Sequence, residues 1–209
     1  MIRVKICGMT SVGDVTTCVA AGADALGFIF ANSPRRLSVI EARVLTDAAP
    51  SSVTTVGVFA NDPADVVRVA IAQCRLDVLQ FSGDESADYC GSFGKPTIVV
   101  SGRRCLSTAE LIAARAIAIL VDARSPGLYG GTGKTVDFET FARVRAEHPG
   151  ARAILAGGLT PANVAQLVRA SKPDAVDART GVERDGRKDP TLVRAFVAAA
   201  RQALGEGGR

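Results

Sequence analysis

The sequence has no tryptophan, a single histidine and no Cys-x-x-Cys pair. Common zinc sites draw on cysteines and histidines at short spacing, so no metal centre is expected. His148, in "AEHPG", falls at a predicted helix end before Pro149. That position suits a charge complementing a helix dipole better than the base of a Ser-His-Asp triad. The five cysteines stand at 7, 18, 74, 90 and 105. An odd count, with no secretory leader in "MIRVKICGMT", leads us to expect reduced thiols in the cytoplasm. Long apolar runs are also missing: "AIAILV" (116–121) is far too short to span a bilayer, so no membrane partner is expected. Basic residues exceed acidic ones, for a formal charge of +4, but they are scattered and not interleaved with aromatics. That pattern does not predict a nucleic-acid surface. A mild positive bias does favour a small anionic partner.

The chain has 209 residues, 47% of them hydrophobic, enough for one domain with a substantial core. With aromatics at 5%, aliphatic residues must fill that core, which suits a buried parallel sheet covered by helices. Short apolar segments at 2–7, 25–30, 54–59, 77–81, 96–101, 116–123, 152–157 and 174–178 read as strands. Amphipathic stretches lie between them. One, at 11–22, ends at Gly22. Another, at 63–74, has Asp62 as its expected cap and Pro63 in its first turn. A third, at 160–171, gives Thr160 and Pro161 the same roles. The clearest helix is 189–204, and 84–93 is the weakest. Strict alternation demands parallel strands and right-handed crossovers. Eight units predict an α/β fold, a single-domain (β/α)8 TIM barrel over 1–204, with 205–209 a flexible tail. A doubly wound open sheet is the alternative, but the first turn, "CGMTS", lacks G-x-G-x-x-G.

In such a barrel the chemistry lies at the C-terminal ends of the strands. Cys7 closes the first strand. A free cysteine is ordinarily a small buried hydrophobe, which suffices for the other four. Lys5 shares the strand face of Cys7, and its charge is expected to raise the thiolate fraction there. Asp122 ends the apolar sixth strand, where desolvation favours a protonated carboxyl fit for general-acid work. Capping of the following turn is the structural alternative for it. Asp177 holds the matching place on strand eight, and Gln80 ends strand four. "LAGGLTPANV" (155–164) and "ARTGVE" (178–183) follow strands seven and eight, where barrels commonly hold phosphate. Gly157, Gly158, Thr180 and Gly181 offer the close backbone approach this requires. Arg35, after Pro34, is placed to clamp a carboxylate or to stand in solvent. "GLYGGTGKT" (127–135) is near a nucleotide P-loop, but with Gly133, Lys134 and Thr135 in register, Leu128 stands where G-x-x-x-x-G-K-[ST] needs glycine.

"KICGMT", "GADALGFIFANSPR", "VGVFAN", "DVLQFSGDE", "LYGGTGKTVDF", "LAGGLTPANV" and "VDARTGVERDGRKD" follow one another along the chain. The set resembles the phosphoribosylanthranilate isomerase family of tryptophan biosynthesis almost from end to end. The resemblance implies a cofactor-free Amadori rearrangement of an anionic phosphosugar. Asp122 would be the general acid and Cys7 the general base. Arg35 would hold the anthranilate carboxylate, and Gly157, Gly158, Thr180 and Gly181 the phosphate. Lys5, Gln80 and Asp177 would complete the substrate-binding set. Gly130, Gly131, Thr132 and Gly133 would form a lid, and the protein would work as a monomer or homodimer. The chain departs from the family's usual "QLHG" at Gln80-Phe81-Ser82-Gly83. It departs from "DVSSG" at Asp177-Ala178-Arg179-Thr180-Gly181, where Arg179 is placed to pair with Asp177 or to add charge for the phosphate. A barrel acting on another phosphosugar and a silent phosphometabolite-binding protein are the competing readings.

Overall fold

Eight parallel strands close into a ring in chain order, with the eighth pairing back onto the first. The computed structural model describes residues 1–101, 106–122 and 138–205. The strands are β1 (Val4–Cys7), β2 (Ala25–Ile29), β3 (Thr54–Phe59), β4 (Val78–Phe81), β5 (Thr97–Ser101), β6 (Ala116–Asp122), β7 (Ala153–Ala156) and β8 (Ala175–Ala178). They alternate with α1 (Val12–Ala20), α2 (Val39–Ala48), α3 (Ala64–Gln73), α4 (Ala87–Gly91), α5 (Thr108–Ala113), α6 (Phe138–Glu147), α7 (Val164–Ser171) and α8 (Pro190–Ala203). The predicted barrel is therefore the observed one.

Side chains alternate across a strand, so each strand feeds two cores. Ala25, Val56, Val78, Ile98, Ala118, Ile154 and Ala175 fill the inside of the ring together with Cys7. Ile6, Leu26, Phe28, Phe59, Leu79, Val121, Leu155 and Val176 point outward into the layer shared with the helices. Burial on both faces is why the strands read as apolar runs rather than alternating ones. In α8 the buried residues Val193, Phe196, Val197 and Ala200 recur at the spacing of one helical face.

Polar residues fix the ends. Ser11 with Asp14, Ser38 with Glu41, and Ser107 with Glu110 form capping boxes at α1, α2 and α5, each satisfying backbone donors that a helix leaves open. A second device recurs at the foot of the barrel. An aspartate immediately before an even-numbered strand accepts from the first N–H groups of its neighbour. Asp24 Oδ2 takes the Arg3 and Val4 N–H groups at 3.0 and 2.8 Å. Asp77 takes Thr55 at 2.8 Å and Asp174 takes Ala153 at 2.8 Å.

Two local expectations need correction. Pro63, not Asp62, occupies the cap position of α3. Asp62 turns back to accept from the Ala60 N–H at 2.9 Å. The seventh helix begins at Val164, because Asn163 Oδ1 accepts from Thr160 N–H at 2.7 Å and holds 160–163 in a separate turn. His148 follows α6 but is buried, with Nδ1 lacking a partner among the described residues. Its side chain packs at the end of α6. Sequence reading also passed over a hairpin after the eighth barrel strand, β9 (Glu183–Arg184) with β10 (Arg187–Lys188). The proposed lid at 130–133, Cys105 and the residues after 205 lie outside the described residues. No helix among the described residues is long and apolar enough to cross a membrane.

Candidate active site

The inward parity of β1 carries Lys5 and Cys7, and barrel closure sets Lys5 beside Asp177 in the β1–β8 register. The Lys5 ammonium is fully buried and lies 3.0 Å from Asp177 Oδ2. Cys7 ends the strand above it, opposite Gly27 of β2. A Cβ at position 27 would come within 2.6 Å of the Cys7 sulfur, so the thiol occupies space that only glycine leaves open. On β6, Asp122 pairs in register with Ala156 of β7. That places the carboxyl beside the turn at Gly157 and Gly158, both at positive φ. Beyond β8, Thr180 and Gly181 sit in a single 3-10 turn. A Cβ on Gly181 would fall 1.9 Å from the Leu159 carbonyl oxygen, so glycine is what lets the seventh and eighth loops touch.

These groups surround one cavity of about 300 Å³ at the C-terminal mouth of the barrel. It is lined by Cys7, Gln80, Asp122, Asp177, Gly157, Gly158, Thr180 and Gly181, with Ser82 and Arg179 beside them. Gln80 donates from Nε2 to Ser82 Oγ at 3.1 Å. Its Oε1 and Asp177 Oδ1 are buried acceptors without a hydrogen-bond partner among the described residues. Such groups are costly to leave unmet, and hydroxyl donors of a bound sugar would satisfy them.

Burial dominates the electrostatics. It pushes the Cys7 thiol above its ordinary range, against the opposing pull of the Lys5 ammonium. Lys5 does pull toward the thiolate, as the sequence led us to expect, but desolvation outweighs it and the net shift is upward. Asp177 is raised for the same reason, with Lys5 working in the opposite direction. Burial lowers Lys5, but the combined attraction of Asp177 and Cys7 prevails and its net shift is upward. The lysine thus stays charged while the buried thiol and carboxyl both hold protons more firmly than they would in water.

Residues 4–199 match the family model described as N-(5'-phosphoribosyl)anthranilate isomerase. The chain belongs to that family. The enzyme of that name from Trichlorobacter lovleyi is 45% identical over 207 residues, covering 98% of this chain and 100% of the relative. The crystal structure of phosphoribosyl anthranilate isomerase from Thermotoga maritima superposes with a TM-score of 0.82 at 32% identity, covering 97% of this chain and 100% of the other. A second isomerase structure, in complex with reduced 1-(o-carboxyphenylamino)-1-deoxyribulose 5-phosphate, gives 0.78 at 29% identity, over 97% and 100% of the two chains.

Within this isomerase fold, eight of the predicted site residues share the cavity: Cys7, Asp122, Gln80, Asp177, Gly157, Gly158, Thr180 and Gly181. Lys5 does not line it. It lies beneath the floor, paired with Asp177. Arg35 is not among the lining residues either, although Asn32 and Ser33 of its loop are. Glu183 grips its guanidinium by the Nε–Nη2 edge. Arg179 lines the cavity without replacing Lys5 as the ion-pair partner of Asp177. Glu183 and Lys188, which the sequence reading did not single out, carry the ion pairs of the hairpin. Their signal was Asp185-Gly186, both at positive φ, a dipeptide typical of tight hairpins.

Proposed function

We propose that the chain isomerises N-(5'-phosphoribosyl)anthranilate to 1-(2-carboxyphenylamino)-1-deoxyribulose 5-phosphate, with Asp122 as general acid and Cys7 as general base. Asp122 protonates the ribose ring oxygen, and the ring opens to the Schiff base. The Cys7 thiolate removes the C2' proton, and the enolamine then tautomerises to the ketone. The observation that carries this reading is the common cavity: a strand-end thiol and a strand-end carboxyl line one chamber of sugar-phosphate size, with two glycine-bearing turns beside them. Gly157, Gly158, Thr180 and Gly181 bring backbone close to the phosphate. Asp177 Oδ1 and Gln80 Oε1 accept from sugar hydroxyls. Lys5 does not touch the substrate; it supplies the positive charge against which the buried thiolate forms. Arg35 meets the anthranilate carboxylate with the Nη1–Nη2 edge that Glu183 leaves unused. The substrate is a small anion, attracted by the net positive charge. The free buried thiols suit a reducing cytoplasm.

The test follows the loss of the substrate's anthranilate fluorescence. Cys7→Ala and Asp122→Asn should each lower kcat at least about 100-fold, the lower range for a positioned acid or base. Turnover equal to wild type in either variant would remove that residue from the mechanism. A panel of other aldose phosphates separates this substrate from a related one.

A further inference from the structure

We propose that Lys188 is a positioning residue that joins the catalytic thiol to the carboxylate-binding arginine, with Glu183 as its relay. The inference rests on the isomerase reading above. Lys188 lies on β10, outside the ring of strands, yet its side chain is 1% exposed. The buried ammonium makes three polar contacts. It donates to the Cys7 carbonyl at 2.7 Å, to the Arg179 carbonyl at 3.1 Å and to Glu183 Oε1 at 2.7 Å. Glu183 uses the same Oε1, with Oε2, to hold Arg35 along one edge.

A buried lysine is expensive unless fully paired, and a surface hairpin does not need one to turn. The cost is explained by what the three contacts fix. The first sets the backbone of the proton-abstracting residue at the end of β1. The second sets the backbone of Arg179 at the cavity wall. The third, through Glu183, turns Arg35 so that its other edge is the one left for substrate. One ammonium therefore registers the base against the Arg179 backbone and, through Glu183, the Arg35 side chain. Charge acts alongside geometry. Lys188 and Arg179 both lower the Cys7 pKa, together with Lys5, while Asp177 and burial raise it. The Lys188 backbone is itself steadied by Asp14, whose Oδ1 lies 3.4 Å from its N–H.

Lys188→Met, Lys188→Arg and Glu183→Gln proteins are compared with wild type by steady-state kinetics across pH 6 to 10 and by thermal unfolding. Lys188→Met should lower kcat about 10- to 100-fold, as expected when a reacting group drifts by about an ångström. It should also move the alkaline rise of kcat/KM to higher pH, because a cation facing the thiol is gone. Lys188→Arg keeps the charge, so it should hold that rise near its wild-type position. Glu183→Gln should raise KM more than it lowers kcat, since it frees Arg35 and leaves Cys7 in place. If Lys188→Met does not fold, the two conservative variants decide. Wild-type KM and an unmoved pH profile in every folded variant would overturn the proposal. Wild type inactive on phosphoribosylanthranilate would instead overturn the reading beneath it.

Discussion

At residue scale the tightest constraint on the site is steric. The Cys7 sulfur lies where a side chain at position 27 would be, within 2.6 Å of a Cβ built there. A Cβ and a sulfur that are not bonded do not approach so closely, so Gly27→Ala must displace the thiol, shift β2 against β1, or both. With Cys7 as the base proposed above, its reach matters, so kcat should fall about 10- to 100-fold while KM changes much less. Stopped-flow substrate binding beside steady-state turnover checks the split; a parallel loss of both would mean that the barrel mouth, rather than the sulfur alone, had moved. The position of Cys7 was legible in the sequence because it is the last residue of an apolar run. Its environment was not. Whether Lys5 or desolvation governs the thiol depends on how completely strands from the far end of the chain cover it, and local spacing carries no such information.

At the scale of elements, the aspartates at the feet of β2, β4 and β8 each tie down a neighbouring strand. Asp24→Ala leaves the Arg3 and Val4 N–H groups without their acceptor and removes the Arg201 partner at 2.5 Å. A loss of about 1–3 kcal/mol is expected, equivalent to a Tm drop of about 2–12 °C in a chain of this size. Circular-dichroism melting measures it, with Asp47→Ala as control. The Asp47 partner Arg43 lies 3.9 Å away and both side chains are well exposed, so its removal should move Tm little. Strand placement in the sequence agreed with the structure to within two residues, since two-sided burial writes apolar runs directly into the chain. Helix starts were harder. Thr160 and Pro161 look like a cap and first turn, but Asn163 competes for the Thr160 N–H and delays α7. The β9–β10 hairpin escaped notice because its Asp-Gly turn is flanked by charged residues, not by the apolar alternation that marks most hairpins. That omission hid Glu183 and Lys188. The Lys5–Asp177 pair shared a strand parity, but only closure of β8 onto β1 makes them neighbours.

For the whole molecule, the buried thiols make stability depend on alkaline pH. Burial raises Cys7, and it pushes Cys18 up to about 12. A thiol whose folded pKa exceeds its unfolded value of about 8.5 holds its proton longer in the native state. Its contribution is therefore fully present below about pH 8.5 and is lost as pH rises through the folded pKa. Tm should be flat on this account near neutrality and decline through pH 9 to 11. Cys18→Ala should make the decline shallower, at a cost near neutrality of about 1 kcal/mol for the lost core volume. Identical pH–Tm curves for the two proteins would exclude Cys18 as a source of the decline. The barrel is also organised by height, with aspartate latches below and the cavity lined by Cys7 and Asp122 above. The segment before β1 and the end of α8 belong to the lower part. The Arg3 guanidinium donates to the carbonyl of Leu204, just past α8, and Arg201 reaches the Gly22 carbonyl at 2.8 Å. Arg3 and Leu204 are thus buttoned together on the side facing away from the chamber. A partner that covered this seam would stand behind the molecule, and the doorway used by the phosphosugar would stay clear.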